Sequence, residues 1–136
     1  MENFSGKFVV FRIDSEYFGV DVMEVSEILR MMKITPLPEA DYYIEGVIEL
    51  RGKIINIIDF RKKFGYPERE YDEHSRIIII NTNDKHFGLI VDAVEAVEEY
   101  SEDELKKVED NTQNRAIIGI ITRKDKLITL LDFSNE

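Results

Sequence analysis

The chain lacks cysteine and tryptophan, and has only two histidines, three prolines and seven glycines among its 136 residues. Without cysteine there can be no disulfide, no thiolate-bound metal and no thiol nucleophile. The two histidines, His74 and His86, have no partner at metal-ligand spacing. His74 lies in a polar connector, and His86 matches Tyr17 in an internal copy, a place that an aromatic ring can fill. There is no G-x-S-x-G frame and no glycine-rich phosphate loop. No apolar run approaches the ~20 residues of a membrane span, and the opening "MENFSGKF" has no signal-peptide layout. Cations are also scarce, 18 Lys and Arg against 28 Asp and Glu, for a net charge of -10. Such a surface repels phosphate backbones and anionic lipid heads. These absences argue against an enzyme, a nucleic-acid binder and a membrane-inserted protein, and place the chain in the cytoplasm with no cofactor.

Apolar residues make up 43% of the chain, and the charged 34% is mixed along it rather than blocked. That is enough for a core in one compact domain or two small fused lobes. The chain also repeats itself. "KFVVFRIDSEYFGVDV" at 7–22 lines up with "RIIIINTNDKHFGLIV" at 76–91. A second match pairs Gly46 with Gly119, Ile48 with Ile121, Lys53 with Lys126, Ile55 with Ile128, Asp59 with Asp132 and Phe60 with Phe133. Two blocks matching in the same order imply a duplicated unit. Two copies are too few for a solenoid and fit two related lobes. We expect a single domain over 1–136, with lobes interleaved around blocks of roughly 7–65 and 76–133.

Each copy reads mostly as strand. "FVVFRI" and "IIIIN" are short, β-branched and bounded by turn residues. Asp14-Ser15-Glu16 and Asn83-Asp84-Lys85 are polar tips, and "VIEL" and "KIINII" flank Arg51-Gly52 as a two-residue hairpin. Lys124-Asp125 takes that place in the second copy. Gly19 and Gly88 each follow an aromatic and predict a bulge or a close backbone approach. Asp21 with Glu24 resembles a capping box opening a helix over "VMEVSEIL", and Ser101 with Glu104 a cap on a short turn. Pro36 and Pro38 make "ITPLPEA" an extended strap. The fold class is therefore all-β with one or two short helices, as small barrels or sandwiches.

Candidates for chemistry are few. Asp59 and Asp132 recur before Phe and suit a turn or cap bond to backbone N–H groups. The acids of 95–104 lie along one stretch, which suits a solvated face better than a cation site. A small metal-dependent hydrolase would need His86 to converge with Asp59 or Asp132. Arg51 is either a solvated turn residue or a rigidly presented cationic fork for a protein partner.

The segments "FVVFRIDSEYFGVDVMEVSEIL", "ITPLP", "IEGVIELRGKIINIIDFRKKFG", "FGLIVDAVEAV" and "GIITRKDKLITLLDF" resemble, in order, the CheW family of bacterial chemotaxis. The most specific part is the G-V-x-x-L-R-G-x-I-x-x-x-x-D block at 46–59. The resemblance implies two SH3-like five-stranded β-barrel lobes and a non-catalytic adaptor. Such an adaptor bridges the regulatory domain of the histidine kinase CheA to the cytoplasmic tips of chemoreceptors, with the tip in a groove between lobes. It carries receptor-contact roles onto Val25, Glu27, Gly46, Arg51, Ile77, Gly88 and Val94, and kinase contacts onto Met31, Met32 and Ile34 at the strap. The chain departs from the family with Asn56 where a proline is usual and Glu49 where an asparagine is usual. An adaptor of a pilus or alternative pathway would carry the same motifs.

Overall fold

A computed structural model describes residues 5–108 and 116–135. Among the described residues eleven strands dominate: β1 (Lys7–Ile13), β2 (Glu16–Asp21), β3 (Val25–Arg30), β4 (Ile44–Leu50), β5 (Lys53–Asp59), β6 (Arg76–Thr82), β7 (Lys85–Val91), β8 (Ala93–Glu99), β9 (Lys106–Lys107), β10 (Ile117–Arg123) and β11 (Lys126–Leu131). A short helix, α1 (Phe60–Phe64), follows β5. The chain divides into two compact units. Unit 1 is Met1–Val25 with Val94–Glu136, and unit 2 is Ser26–Ala93.

The duplication explains this division. Each unit takes one hairpin from each sequence block. In unit 1 the β1–β2 hairpin of the first block pairs with the β10–β11 hairpin of the second, through a parallel β2–β11 contact that sets Gly19 beside Leu130. In unit 2 the β4–β5 hairpin pairs with the β6–β7 hairpin, through a parallel β5–β7 contact that sets Gly88 beside Ile57. The sheet orders are β8-β1-β2-β11-β10-β9 and β3-β6-β7-β5-β4. The strand content and two sheets agree with the all-β expectation. One sheet has six strands rather than five, because the two-residue β9 adds to β10. In unit 2 the same place is held by a single bridge between Thr35 of the strap and Val47 of β4.

Each unit has its own core. Phe8, Val10, Tyr100, Ile121, Ile128 and Leu130 cluster in unit 1. Ile48, Ile55, Ile57, Ile77, Ile79 and Ile90 cluster in unit 2, all of them isoleucine. β-branched residues fill the second core and make up half of the first, because their restricted χ1 suits a pleated surface packed on one face. The glycines at matched positions serve these cores. A Cβ on Gly88 would lie 2.6 Å from Ile57 Cδ1 and 2.8 Å from Ile77 Cγ2, and one on Gly19 would lie 2.8 Å from Leu130 Cδ2. Both are close approaches, as their position after an aromatic predicts.

The helix expected over "VMEVSEIL" is absent. A 3-10 turn, Val22–Glu24, is followed at once by β3. The Asp21 carboxylate does cap it, accepting the Met23 N–H at 2.8 Å. Glu24, however, does not return to its own cap; its carboxyl accepts the Phe133 N–H. Burial along β3 alternates residue by residue, so Val25, Glu27 and Leu29 share one face and Ile28 takes the other. A helix would put Val25, Ile28 and Leu29 together. Pairing with a long apolar strand outweighs a weak local helix signal. The expected cap at Ser101 is present: its N–H donates to Glu104 at 2.9 Å over the 3-10 turn Glu102–Glu104.

Candidate docking site

The hairpin at Arg51-Gly52 is a two-residue turn, with Leu50 opposite Lys53. Arg51 has φ 51° and Gly52 φ 82°. Two successive positive φ values match the hand of a type I′ turn and the twist of the flanking strands. Glycine supplies one of them freely. Arginine accepts the other at a cost that a turn built for its side chain alone would not require.

The side chain shows what is gained. Arg51 is largely solvent-exposed, 71% for the side chain, yet its guanidinium forks onto Glu27 of β3. Nη1 reaches one carboxylate oxygen, and Nη2 reaches the other at 3.1 Å. The hydrogen bond from Arg51 holds the Glu27 carboxyl below the usual glutamate range, and Glu27 pushes the guanidinium further up. An exposed pair of this kind contributes little to stability. Its effect is orientation, since a bidentate fork fixes the plane of a long and otherwise mobile side chain. β3 stands first in the strand order of this unit and the hairpin ends it, so the pair joins the two ends of the sheet.

The strap completes that closure. Thr35 N–H donates to Val47 O and Val47 N–H to Thr35 O, both at 2.9 Å. The strands approach so closely here that a Cβ on Gly46 would lie 2.1 Å from Thr35 O. Gly46 has φ 147° and sits at a β-bulge. Gly119, its match in the other unit, meets Lys106 O in the same way at 2.6 Å. Met31 and Ile34 of the strap pack half-buried against the isoleucine core, and Met32 is 42% exposed.

The predicted receptor and kinase positions therefore differ in what they expose. Glu27 and Arg51 are brought together, with Met32 displayed on the strap of the same unit. Val25, opening β3, and Val94 in β8 are half-buried. Gly46, Ile77 and Gly88 are buried, Ile77 completely, within the sheet and core of unit 2. Their side-chain positions shape the sheet and offer no surface. A helix over this stretch would turn Ile28 inward, whereas on β3 it is 39% exposed. Its signal in the sequence is the two-residue alternation of Val25, Glu27 and Leu29 against it. Ile54 on the outer face of β5 is 66% exposed and occurs at the position matched by Leu127, itself 61% exposed.

The two repeated aspartates are architectural. Asp59 caps α1, accepting the Arg61 N–H at 2.8 Å, and also accepts the Tyr71 hydroxyl at 2.7 Å. Burial first, and then that bond, push the Tyr71 hydroxyl well above the usual tyrosine range. Asp132 accepts the Ser134 N–H at 3.0 Å. His86 is exposed on β7. Among the described residues, no three His, Cys, Asp or Glu side chains are grouped to hold a metal ion. Among them, too, no helix is long and apolar enough to cross a membrane.

A family model described as "CheW-like domain" matches residues 7–135. The chain is 32% identical to the chemotaxis protein CheW of Bacillus subtilis, over 93% of this chain and 83% of that protein. It is also 32% identical to the chemotaxis protein CheW of Thermotoga maritima, over 90% of this chain and 81% of that protein. Among solved structures it is similar to the scaffolding protein TtCheW from Thermoanaerobacter tengcongensis, with a TM-score of 0.87 and 38% identity. That match covers 93% of this chain and 88% of the other.

Proposed function

The chain belongs to the CheW-like domain family, a family of chemotaxis scaffolds and not of enzymes, and on that premise we propose that it couples a CheA-type histidine kinase to chemoreceptors. In this reading it binds the kinase's regulatory domain and the cytoplasmic receptor tip, and is recruited from the cytoplasm to membrane receptor arrays. The observation that carries the proposal is the Arg51 fork, a permanent cation at a hairpin tip, aimed by Glu27. An exposed arginine whose plane is already fixed loses little conformational freedom on docking, which is the property of a hot-spot residue.

Glu27, Arg51, Val25 and Val94 supply receptor contacts in this proposal. Gly46, Ile77 and Gly88 act through the sheet that carries them. The strap supplies the kinase contact, with Met32 exposed and Met31 and Ile34 setting its course. Methionine suits such a surface because its flexible, polarisable side chain adapts to a partner.

Two titrations test this. A receptor cytoplasmic fragment and a CheA regulatory domain, both from the same source as this chain, are each measured against the wild type and Arg51→His. The expected result is a loss of about tenfold or more in receptor affinity, unchanged kinase affinity and an unchanged thermal midpoint. Full receptor binding by Arg51→His overturns the assignment of the site.

A further inference from the structure

An acidic chain has carboxylates to spare for its arginines, and most of them are taken. Arg12, Arg51, Arg61, Arg69 and Arg123 each stand within ion-pair distance of an Asp or Glu. Arg30 and Arg76 have no carboxylate partner among the described residues, and these two line one cleft, of about 490 Å³, in unit 2. Arg30 ends β3, and Arg76 opens β6, the neighbouring strand of the sheet. Met31, where the strap begins, lines the same cleft.

The turn before β6 sets the Arg76 guanidinium. Asp72 N–H donates to Ser75 Oγ at 2.9 Å, Ser75 N–H to Asp72 O at 3.1 Å, and His74 N–H to Asp72 Oδ1 at 2.8 Å. Folded in this way, the turn offers two carbonyls to Arg76, whose Nη1 donates to Glu73 O and to Ser75 O, each at 2.8 Å. Arg61 in the same unit shows what such a grip leaves available. Its Nη1 donates to a backbone carbonyl, Pro67 O, at 2.7 Å, while Nε and Nη2 fork onto the Asp92 carboxylate. Arg76 has the same grip on Nη1, and no described residue takes its Nε and Nη2. Arg30 is exposed and bonds to no described residue. The two acids of the cleft are turned to other groups. Asp72 lies 3.5 Å from Arg69, and Glu73, 86% exposed, lies 3.5 Å from the His74 ring.

Resting on the reading of the strap as the kinase contact, we propose that the cleft of Arg30 and Arg76 accepts an acidic side chain of the kinase's regulatory domain. The partner's carboxylate takes the Nε–Nη2 fork of Arg76 as Asp92 takes that of Arg61, and Arg30 adds a second cation from the neighbouring strand. The planar fork matches a carboxylate, and guanidinium is more weakly hydrated than ammonium, so covering it with a partner costs less. Two carbonyls already fix the plane of Arg76, so docking orders little more of it. Continuity with the strap favours a protein over a free anion. The cleft reaches Met31, and Met32, 42% exposed, follows it, so one partner can fill the cleft and cover the methionines together. The net charge of -10 sets the rest of the surface against a nucleic-acid phosphate.

The test is calorimetric titration of the whole chain with a CheA regulatory domain from the same source, at about 50 and about 300 mM salt. A receptor cytoplasmic fragment is titrated in parallel. Arg30→Gln should lower kinase affinity by about three- to tenfold, and Arg30→Glu by more. The Arg30→Gln complex should also weaken less than the wild-type complex when salt is raised. Receptor affinity and thermal midpoint should stay at the wild-type values. Arg76→Lys keeps the charge and loses the fork, and should cost about tenfold in kinase affinity. Arg30 is exposed and holds nothing in the fold, so its two variants carry the test if Arg76→Lys is unstable. A wild type that binds the kinase domain no better than Arg30→Glu does overturns the cleft and leaves the strap reading standing. Loss of receptor affinity in place of kinase affinity overturns it too, by giving the cleft to the receptor. A wild type that does not bind the kinase domain at all overturns the reading of the strap, and this inference with it.

Discussion

Replacing Gly46 by alanine asks whether this position serves the partner or the fold. The added Cβ would lie 2.1 Å from Thr35 O, 2.6 Å from Thr35 C and 3.0 Å from Ile34 Cγ2. Two of those atoms are backbone, so no rotamer change relieves the clash. At φ 147° the residue also sits where L-amino acids are strained, at about 1–3 kcal/mol. The chain can relax only by moving the strap away from β4, which breaks both Thr35–Val47 hydrogen bonds. These are worth about 0.5–1.5 kcal/mol each. Together the loss comes to about 2–6 kcal/mol, or on the order of 10 °C or more in thermal midpoint. The control is Gly52→Ala, at φ 82° with nothing within 4 Å of its Cβ, which should cost about 1 kcal/mol. Urea denaturation followed by circular dichroism measures both. A Gly46→Ala chain within about 0.5 kcal/mol of the wild type would refute the close-approach argument. If that stable variant also lost receptor binding, Gly46 would be a contact after all.

Two further variants probe unit 2. Arg61→Ala removes both Arg61 bonds to the buried Asp92, keeps the more distant Arg69, 3.3 Å from Oδ2, and removes the bond to Pro67 O. The expected loss is about 3–5 kcal/mol, and the apolar double variant Arg61→Met with Asp92→Leu should recover much of it; equal stability of Arg61→Ala and wild type in urea would contradict this. Asp59→Ala removes the α1 cap at about 1–2 kcal/mol and leaves the Tyr71 hydroxyl without its carboxylate. The Tyr71 titration, read by ultraviolet absorbance, should move down but stay above the ordinary tyrosine range, because burial is the larger cause of its elevation. No movement would remove Asp59 as a cause.

The parts of the fold that were legible in sequence are those set by neighbours along the chain. Arg51-Gly52 between two β-branched runs specifies a hairpin because few residue pairs accept two positive φ values. The repeated aspartates before Phe specify caps because a short carboxylate reaches only nearby N–H groups. α1 escaped the reading although Asp59 and Gly65 bracket it as N-cap and C-cap, since five residues carry too little helical periodicity to register. The "VMEVSEIL" stretch misled for the opposite reason. Its local cap is real, but β3 gains more by pairing than a helix would by propensity.

By itself the sequence determined the duplication, the strand content, the hairpin tips and the family. Each of these is written in spacing and residue type over a few positions. Only the tertiary structure decided which hairpins share a sheet, and hence that each unit mixes both blocks. It alone placed Glu27 under the Arg51 fork, buried Ile77 and Gly88, and turned Glu24 toward Phe133. Those outcomes depend on contacts between residues far apart in the chain. Pairing there is chosen by the area buried and the hydrogen bonds satisfied, quantities that no local window contains.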